Sequence, residues 1–377
     1  MHIAPLAGIR VVELGSSIAG PFAALILAQL GAEVIKVEPP VGGDAMRTWG
    51  APFVDGQTAA FETFNRGKKS VAVDFSDAGQ MAALRRFIDA GADVVLQNLR
   101  PGVVDRFELD ETTLRAANAR LVYCNLGAFG RRGPLADSPG YDPLMQAFSG
   151  LIAGTGEADR DPVRVGAPIM DLSTGMWAAI GILGLLVRRA GTDVGGTVDT
   201  SLFESSLAWQ SLNFATMQVT GAPPGRSGLT GPLIAPNGGF QACDGIVMIV
   251  VGTNAQFTRM CVALDVAGLA GDPRFASSNA RYQHREALRE VLDDAMRGES
   301  RAHWVERLNA ANVPCAPLQD LAEVAGHPQT AAMGAVQQRP GTGFEVLGLP
   351  LGIDGERPAY AAPAPALGAD SALLNDD

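Results

Sequence analysis

Histidine is nearly missing from this 377-residue chain: His2, His284, His303 and His327 are the whole supply. The α/β half holds no histidine beyond His2, which argues against a Ser-His-Asp or Cys-His device there, and no GxSxG elbow occurs. The other three fall in helical or turn segments and read as surface residues. The four cysteines, Cys124, Cys243, Cys261 and Cys315, form no CxxC pair. With no HExxH and no calcium-loop pattern either, no metal site is expected. A nicotinamide fingerprint is absent as well, since Gly15 and Gly20 in GSSIAGP do not fit GxGxxG.

Positive charge is also in deficit, with 29 Lys and Arg against 40 Asp and Glu and a net charge of −11. That balance argues against sequence-independent nucleic-acid binding and against docking on an anionic membrane. The most apolar stretch, Met176 to Val187, is shorter than the ~20 residues a membrane span needs. The opening MHIAPLAGIRVVEL lacks a charged segment followed by an apolar one, so no signal peptide is expected. Unpaired thiols fit a reducing compartment, and the expectation is a soluble cytoplasmic protein.

What the chain does have is apolar substance, 47% hydrophobic residues, enough for a sizeable core and two domains. Ile9 to Leu14 reads as a strand, Pro21 to Leu30 as a helix with Gly31 beyond it, and Glu33 to Val37 as a strand, which is a β-α-β unit. The alternation continues through helix Gly79 to Ala90, strand Ala92 to Gln97, helix Thr112 to Asn118 and strand Arg120 to Asn125. The fold class is therefore α/β: a large doubly wound, parallel-sheet, Rossmann-like domain over 1–200. A linker over 201–224 is expected at the Gly- and Pro-rich GAPPGRSG, although Ser201 to Val219 itself reads as a helix. A smaller α+β domain over 225–325 follows, with a hairpin around Asp244-Gly245 and helices Asn254 to Leu264, Arg281 to Met296 and Arg301 to Ala311. The tail from Pro358 reads as extended and partly mobile.

Carboxylates are the chemistry left over. Asp171 stands at the mouth of the apolar helix, where free N–H groups and the helix dipole would hold it ionised as a nucleophile, and an ordinary acidic N-cap fits the same position. Ser173 is a second capping candidate. Asp142 lies in the loop GYDP, and Asp44 and Asp137 read as turn residues. In FNRGKKSVAVDF, Arg66, Lys68 and Lys69 are three cations in four residues. They form either a solvated turn or a phosphate contact, and GKKS lacks the spacing of a P-loop. Asn98, Arg100 and Arg106 in NLRPGVVDRF follow a parallel strand, where open α/β sheets bind ligands.

The stretches LAGIRVVELGSSIAGPFAALILAQLGAEVIKVEPPVGGDAMR, FNRGKKSVAVDF, VVLQNLRPGVVDRF, RLVYCNLGAFGRRGP, GYDPLMQAFSGL, PIMDLSTGMWAAIGIL and APNGGFQACDG resemble the class III CoA-transferase (CaiB/BaiF) family over nearly the whole chain. This family includes formyl-CoA and carnitine CoA-transferases and alpha-methylacyl-CoA racemase. The resemblance implies that Asp171 is a covalent nucleophile that takes CoA from an acyl-CoA and passes it to a free carboxylic acid. CoA is then a substrate, with no tightly bound cofactor and no metal. It further implies CoA contacts at Ser17, Ile18, Val73, Asn98, Leu99 and Arg106, with Lys36, Arg66 and Lys69 as further candidates for the adenosine phosphates. An interlocked homodimer is implied too, in which 326–377 returns to the large domain and the small domain covers the site. Ile18 and Pro39 replace the glutamine and the basic residue of formyl-CoA transferase, which speaks against formyl or oxalyl chemistry. GLTGPLIAPNGG stands where that enzyme has consecutive glycines. Tyr141 replaces the histidine of the racemases' GHD motif; with a pKa near ~10 a tyrosine exchanges an α-proton poorly at neutral pH. Transfer is thus favoured over the alternative, 2-methylacyl-CoA racemisation, while a CoA-ester binding protein without turnover is a third reading.

Overall fold

A computed structural model of the protein describes residues 4–50 and 52–375; His2 and the rest of the first three residues lie outside them. Six short strands, β1 (Arg10–Leu14), β2 (Glu33–Glu38), β3 (Lys69–Ala72), β4 (Val94–Gln97), β5 (Val122–Gly127) and β6 (Gly196–Ser201), form one sheet in the order β3-β2-β1-β4-β5-β6. All five pairings are parallel. Successive residues serve opposite faces: Val11, Val34 and Val94 enter one core cluster, and Val12, Ile35 and Val95 enter another. Because helices cover both faces, the central strands β1, β2 and β4 carry consecutive apolar residues such as Val11-Val12, Val34-Ile35 and Val94-Val95 instead of a strict polar–apolar alternation.

The crossovers carry α1 (Ala19–Gln29), α2 (Ala59–Asn65), α3 (Ala78–Gly91), α4 (Val103–Arg106), α5 (Glu111–Ala117), α6 (Asp142–Phe148) and α7 (Ile169–Thr192). After β6 come α8 (Leu202–Trp209) and α9 (Ser211–Thr220). Strand order reverses between β1 and β4, so the loops at their C-terminal ends diverge and leave a crevice, the usual ligand position in such sheets. A helix in a parallel crossover runs back against the strands. The N-termini of α1 and α7 therefore both point to that same edge.

Helix α7 spans 24 residues, longer than its apolar run suggests, and by length and composition it could cross a bilayer, with 39% of its most apolar window buried. Its inner face packs on protein: a Cβ at Gly175 would stand 2.8 Å from the Ala19 carbonyl oxygen, and one at Gly181 would stand 2.6 Å from Val198. Glycine is what lets α7 lie directly on the first turn of α1 and on β6.

The described chain divides into two compact units. The first takes the described parts of Met1–Ile152, Arg164–Pro224 and Pro328–Asp377, and the second takes Ala153–Val163 and Gly225–His327. Residues 201–224 are thus no linker but largely the end of β6 with α8 and α9, which break at Gln210 instead of running as one helix. Residues 153–163 belong with the second unit, where Arg226 donates to the Glu157 and Arg160 carbonyls at 3.0 and 2.8 Å. The second unit has its own antiparallel sheet of β7 (Asn237–Ala242), β8 (Gly245–Val250) and β9 (Cys315–Pro317), ordered β9-β8-β7. Helices α10 (Asn254–Ala263), α11 (Ser278–Gln283), α12 (Arg285–Met296) and α13 (Arg301–Ala310) pack on it around Val247, Phe257, Leu292 and Trp304.

The tail is not free. Ser70 N donates to the Asp370 carboxylate at 2.9 Å, Ala72 N donates to Ser371 Oγ at 2.9 Å, and Leu373 and Leu374 pack on the sheet's core. It caps the open edge of β3 with side-chain acceptors, a role that Ala- and Pro-rich composition does not announce.

The tight α1–α7 contact yields a test. Gly175→Ala should force the two helices apart and cost about 1–3 kcal/mol. Urea unfolding should show it as a lower midpoint at unchanged slope.

Candidate active site

Asp171 lies in the first turn of α7, four residues before Gly175, and so on the face that meets α1. It does not cap the helix, and neither does Ser173, whose hydroxyl donates back to the Ile169 carbonyl at 2.7 Å. The backbone donors at this terminus are already taken. Ile169 N donates to the Ala167 carbonyl at 2.8 Å and Leu172 N to the Pro168 carbonyl at 3.0 Å. Met170 N and Asp171 N both donate to Oδ2 of Asp142, at 2.6 and 3.3 Å. The cap is therefore Asp142, supplied from the start of α6 and buried at 5% exposure.

This arrangement reverses the expected electrostatics. Among the described residues no group donates a hydrogen bond to the Asp171 carboxylate. Desolvation in its half-buried setting, reinforced by the negative charge of Asp142, pushes its pKa from the ordinary 3.8 up to about 7. The result is a more basic carboxylate than a capped one, poised to bond to an electrophile. Tyr141 precedes α6 with its side chain 61% exposed, so it faces solvent instead of packing in the core.

The residues implicated in CoA contact separate into two groups. Ser17, Ile18, Val73, Asn98, Leu99 and Arg106 all follow the C-terminal ends of β1, β3 or β4. Asn98 stitches the crevice together: its side chain accepts from Ser16 N at 2.8 Å and donates to the Ser16 carbonyl at 2.8 Å. Ser17 is held at φ 64°, with its N–H on Asp44 Oδ1 at 3.1 Å. Ile18 packs toward Met46 and Phe61, Val73 is buried, and Leu99 N donates to Gln97 Oε1 at 2.8 Å. Arg106 is exposed, stacked over the Phe107 ring at 4.4 Å, and neither it nor the exposed Arg100 has an ion-pair partner among the described residues.

Lys36, Arg66 and Lys69 are placed otherwise. Lys36 is fully buried, donating to Glu13 at 2.9 Å and to the Gly15 carbonyl at 2.8 Å, with Asp44 at 2.8 Å. Burial opposes its charge, yet Glu13 and Asp44 outweigh that and hold the ammonium above its ordinary pKa. Arg66 is buried at 1% exposure, and it donates to the Thr63 carbonyl and, at 3.0 Å, to the Leu347 carbonyl. Lys69 opens β3, at the N-terminal end of the sheet, and pairs with Glu33 at 2.6 Å. The first two lack the solvent access a phosphate needs, and Lys69 sits on the edge opposite the crevice.

The sequence reading names Lys68 and Asp44 without their supporting role and misses Glu13 and Gln146. Lys68 is buried against Glu13 at 2.7 Å, the Pro21 carbonyl and Asn65, and desolvation pushes its pKa down to about 8 against the pull of Glu13. Together Glu13, Lys36, Lys68 and Asp44 anchor the loop from Gly15 to Ser17 from below. A signal exists: Glu13 and Lys36 sit at paired positions within the apolar runs of β1 and β2, and charges so placed need each other. Gln146, fully buried one turn after Asp142, donates to Asp142 Oδ1 at 2.6 Å. Nothing in its local sequence marks it.

The raised pKa of Asp171 makes a stability prediction. An acid whose folded pKa lies above its unfolded value loses folded stability as pH rises from about 4 to about 7. Asp171→Asn should therefore be the more stable protein at pH 8, on the order of 2 kcal/mol after allowance for partial solvent screening. The gap should close toward pH 4 in urea titrations run in parallel.

The family model for CoA-transferase family III matches residues 6–371. An acetyl-CoA:oxalate CoA-transferase of Acetobacter aceti is 37% identical, over 99% of this chain and 95% of that protein. A succinate–glutarate CoA-transferase of Agrobacterium fabrum is 34% identical, over 98% of this chain and 94% of that protein. The crystal structure of a CaiB/BaiF family protein from Brucella suis superposes with a TM-score of 0.87 at 35% identity, covering 98% of each chain. A match of this extent, in sequence and in fold, means that the chain belongs to CoA-transferase family III.

Proposed function

We propose that this enzyme moves coenzyme A from an acyl-CoA thioester to a free carboxylic acid, with Asp171 as the covalent nucleophile. The single observation that carries the reading is the Asp171 carboxylate itself, half-buried, without a hydrogen-bond donor among the described residues, at the crevice edge of a doubly wound sheet. Ionised Asp171 attacks the thioester carbonyl carbon, giving a mixed anhydride and expelling CoA thiolate. The thiolate then attacks the aspartyl carbonyl, releasing the donor acid and leaving an aspartyl-CoA thioester. The acceptor carboxylate attacks that thioester to form a second anhydride, and CoA thiolate takes the acceptor acyl group, restoring Asp171. Each bond broken is replaced by one of similar energy, so the thioester is conserved as long as water is kept out.

Arg100 and Arg106, cations at the crevice edge without an ion-pair partner among the described residues, are the arginines best placed for CoA phosphates, with backbone groups of the Ser17, Val73 and Leu99 loops flanking them. The relatives are named for acetyl, oxalate, succinate and glutarate partners, which supports small carboxylic acids as donor and acceptor. Oxalate belongs among them despite Ile18 and Pro39. Racemisation needs a second acid-base group near neutrality, and the position in question carries the solvent-facing Tyr141. Exposed Met176, Trp177 and Ile180 on α7, with Leu212 and Phe214 on α9, support a homodimer of interlocked chains that covers them. We assign the protein to the cytoplasm on its unpaired thiols.

Asp171→Ala should lower transfer from succinyl-CoA to a panel of small acids by at least about 10³-fold while leaving CoA affinity unchanged. Full activity in that variant would overturn the assignment. Because the ionised carboxylate is the reactive form, kcat/KM of the wild type should rise with pH through a midpoint near 7. A profile flat from pH 5.5 to about 8 would contradict the role of Asp171.

A further inference from the structure

Beside the nucleophile stands a polar side chain that the reaction as described leaves unused. Gln146 is fully buried on α6, one turn after Asp142 and on the same face. Its carboxamide makes a two-point contact with the Val165 backbone, Oε1 accepting from Val165 N at 2.9 Å and Nε2 directed at the Val165 carbonyl at 3.4 Å. That N–H fixes which way the amide lies, because a backbone donor needs the oxygen, and it leaves Nε2 for Asp142 Oδ1 at 2.6 Å. With Oδ1 held, Oδ2 is turned onto the α7 terminus, where it accepts from Met170 N and Asp171 N at 2.6 and 3.3 Å.

We propose that Gln146 is a positioning residue for CoA transfer: by fixing the rotation of Asp142 it keeps the helix amides occupied and so leaves the Asp171 carboxylate free to meet the thioester. The inference rests on the reading of Asp171 as nucleophile. A carboxylate in the first turn of a helix ordinarily spends its lone pairs on the free amides there. Were Asp142 to swing away, Asp171 would take up those donors, lose nucleophilicity and turn its oxygens toward the helix axis instead of the crevice. Glutamine is what the position demands, since a glutamate would set a second carboxylate against Asp142, and an apolar residue would leave Oδ1 of Asp142 and the Val165 N–H without partners.

The test uses the full chain, succinyl-CoA as probe, and intact-mass detection of the covalent adduct on Asp171 after rapid quenching. Gln146→Glu and Asp142→Asn should each slow adduct formation and kcat by about 10²-fold with KM for succinyl-CoA within about threefold of wild type, as for a misplaced reacting group. The double variant Asp142→Asn/Gln146→Glu should recover to within about tenfold of wild type. In it the new amide at position 142 donates to the new carboxylate at position 146, which still accepts from Val165 N, and the amide oxygen at position 142 still serves the α7 amides. Gln146→Met, which keeps the volume without a charge, serves if Gln146→Glu does not fold, and the same loss is expected. Adduct formation at the wild-type rate in either single variant, or a double variant no faster than the slower single one, overturns the proposal. A wild type that forms no adduct, together with an active Asp171→Ala, instead sinks the reading of Asp171 and this inference with it.

Discussion

One hydrogen-bonded contact sets the character of the site: the Asp142 carboxylate on the backbone amides that open α7. The start of a helix carries donors that must be satisfied, and a local acidic residue normally satisfies them. Here the acid comes from another helix, so Asp171 is left as a carboxylate that is close to a positive helix end without being bonded to it. Desolvation then decides its basicity, together with a like charge one contact away. The gain is reactivity, and the cost is a group that opposes folding above its ordinary pKa.

A second constraint acts beneath the crevice. Glu13, Lys36, Lys68 and Asp44 are almost wholly excluded from water and are neutralised by one another. Replacing such a cluster with apolar residues would cost little stability in principle, whereas removing one member strands a buried charge. What the cluster contributes is direction. Lys36 holds the Gly15 carbonyl and Asp44 holds the Ser17 N–H, so the loop beside α1 is tied down at both of those residues. Lys36 and Lys68 are therefore held within the protein, whereas Arg100 and Arg106 stand at the rim, exposed to solvent.

Much of this is legible from residue pattern. The alternation of apolar strand and helix points to the parallel sheet, and Asn98, Arg100 and Arg106 after a parallel strand mark a ligand edge, whereas the loop at Ser17 is singled out only by the family resemblance and the reversal of strand order only by the fold. Asp171 is recognisable as an acid at the head of an apolar helix. Its state is not, because helix propensity speaks of a cap and is silent about a competitor arriving from α6. The reading of Arg66, Lys68 and Lys69 as one basic turn fails for a similar reason. Three cations close in sequence point to three different places once a strand begins: one lies beneath the return segment, one within the charge cluster, and one at the far edge of the sheet. The tail from Pro358 misleads by composition, since its anchors are single polar residues such as Asp370 and Ser371 that carry no periodicity.

Local pattern and composition are enough for the class of fold and for singling out carboxylates as candidate reactive groups, because these depend on periodicity and on which functional groups the chain contains; the family is read from the resemblance of whole motifs. Which acid caps α7, which cations are buried, and that 153–163 joins the second unit emerge only once the chain is packed. Those outcomes turn on hydrogen bonds and desolvation between residues far apart along the chain, and the free energy of such contacts is fixed by the geometry of folding and by no local pattern.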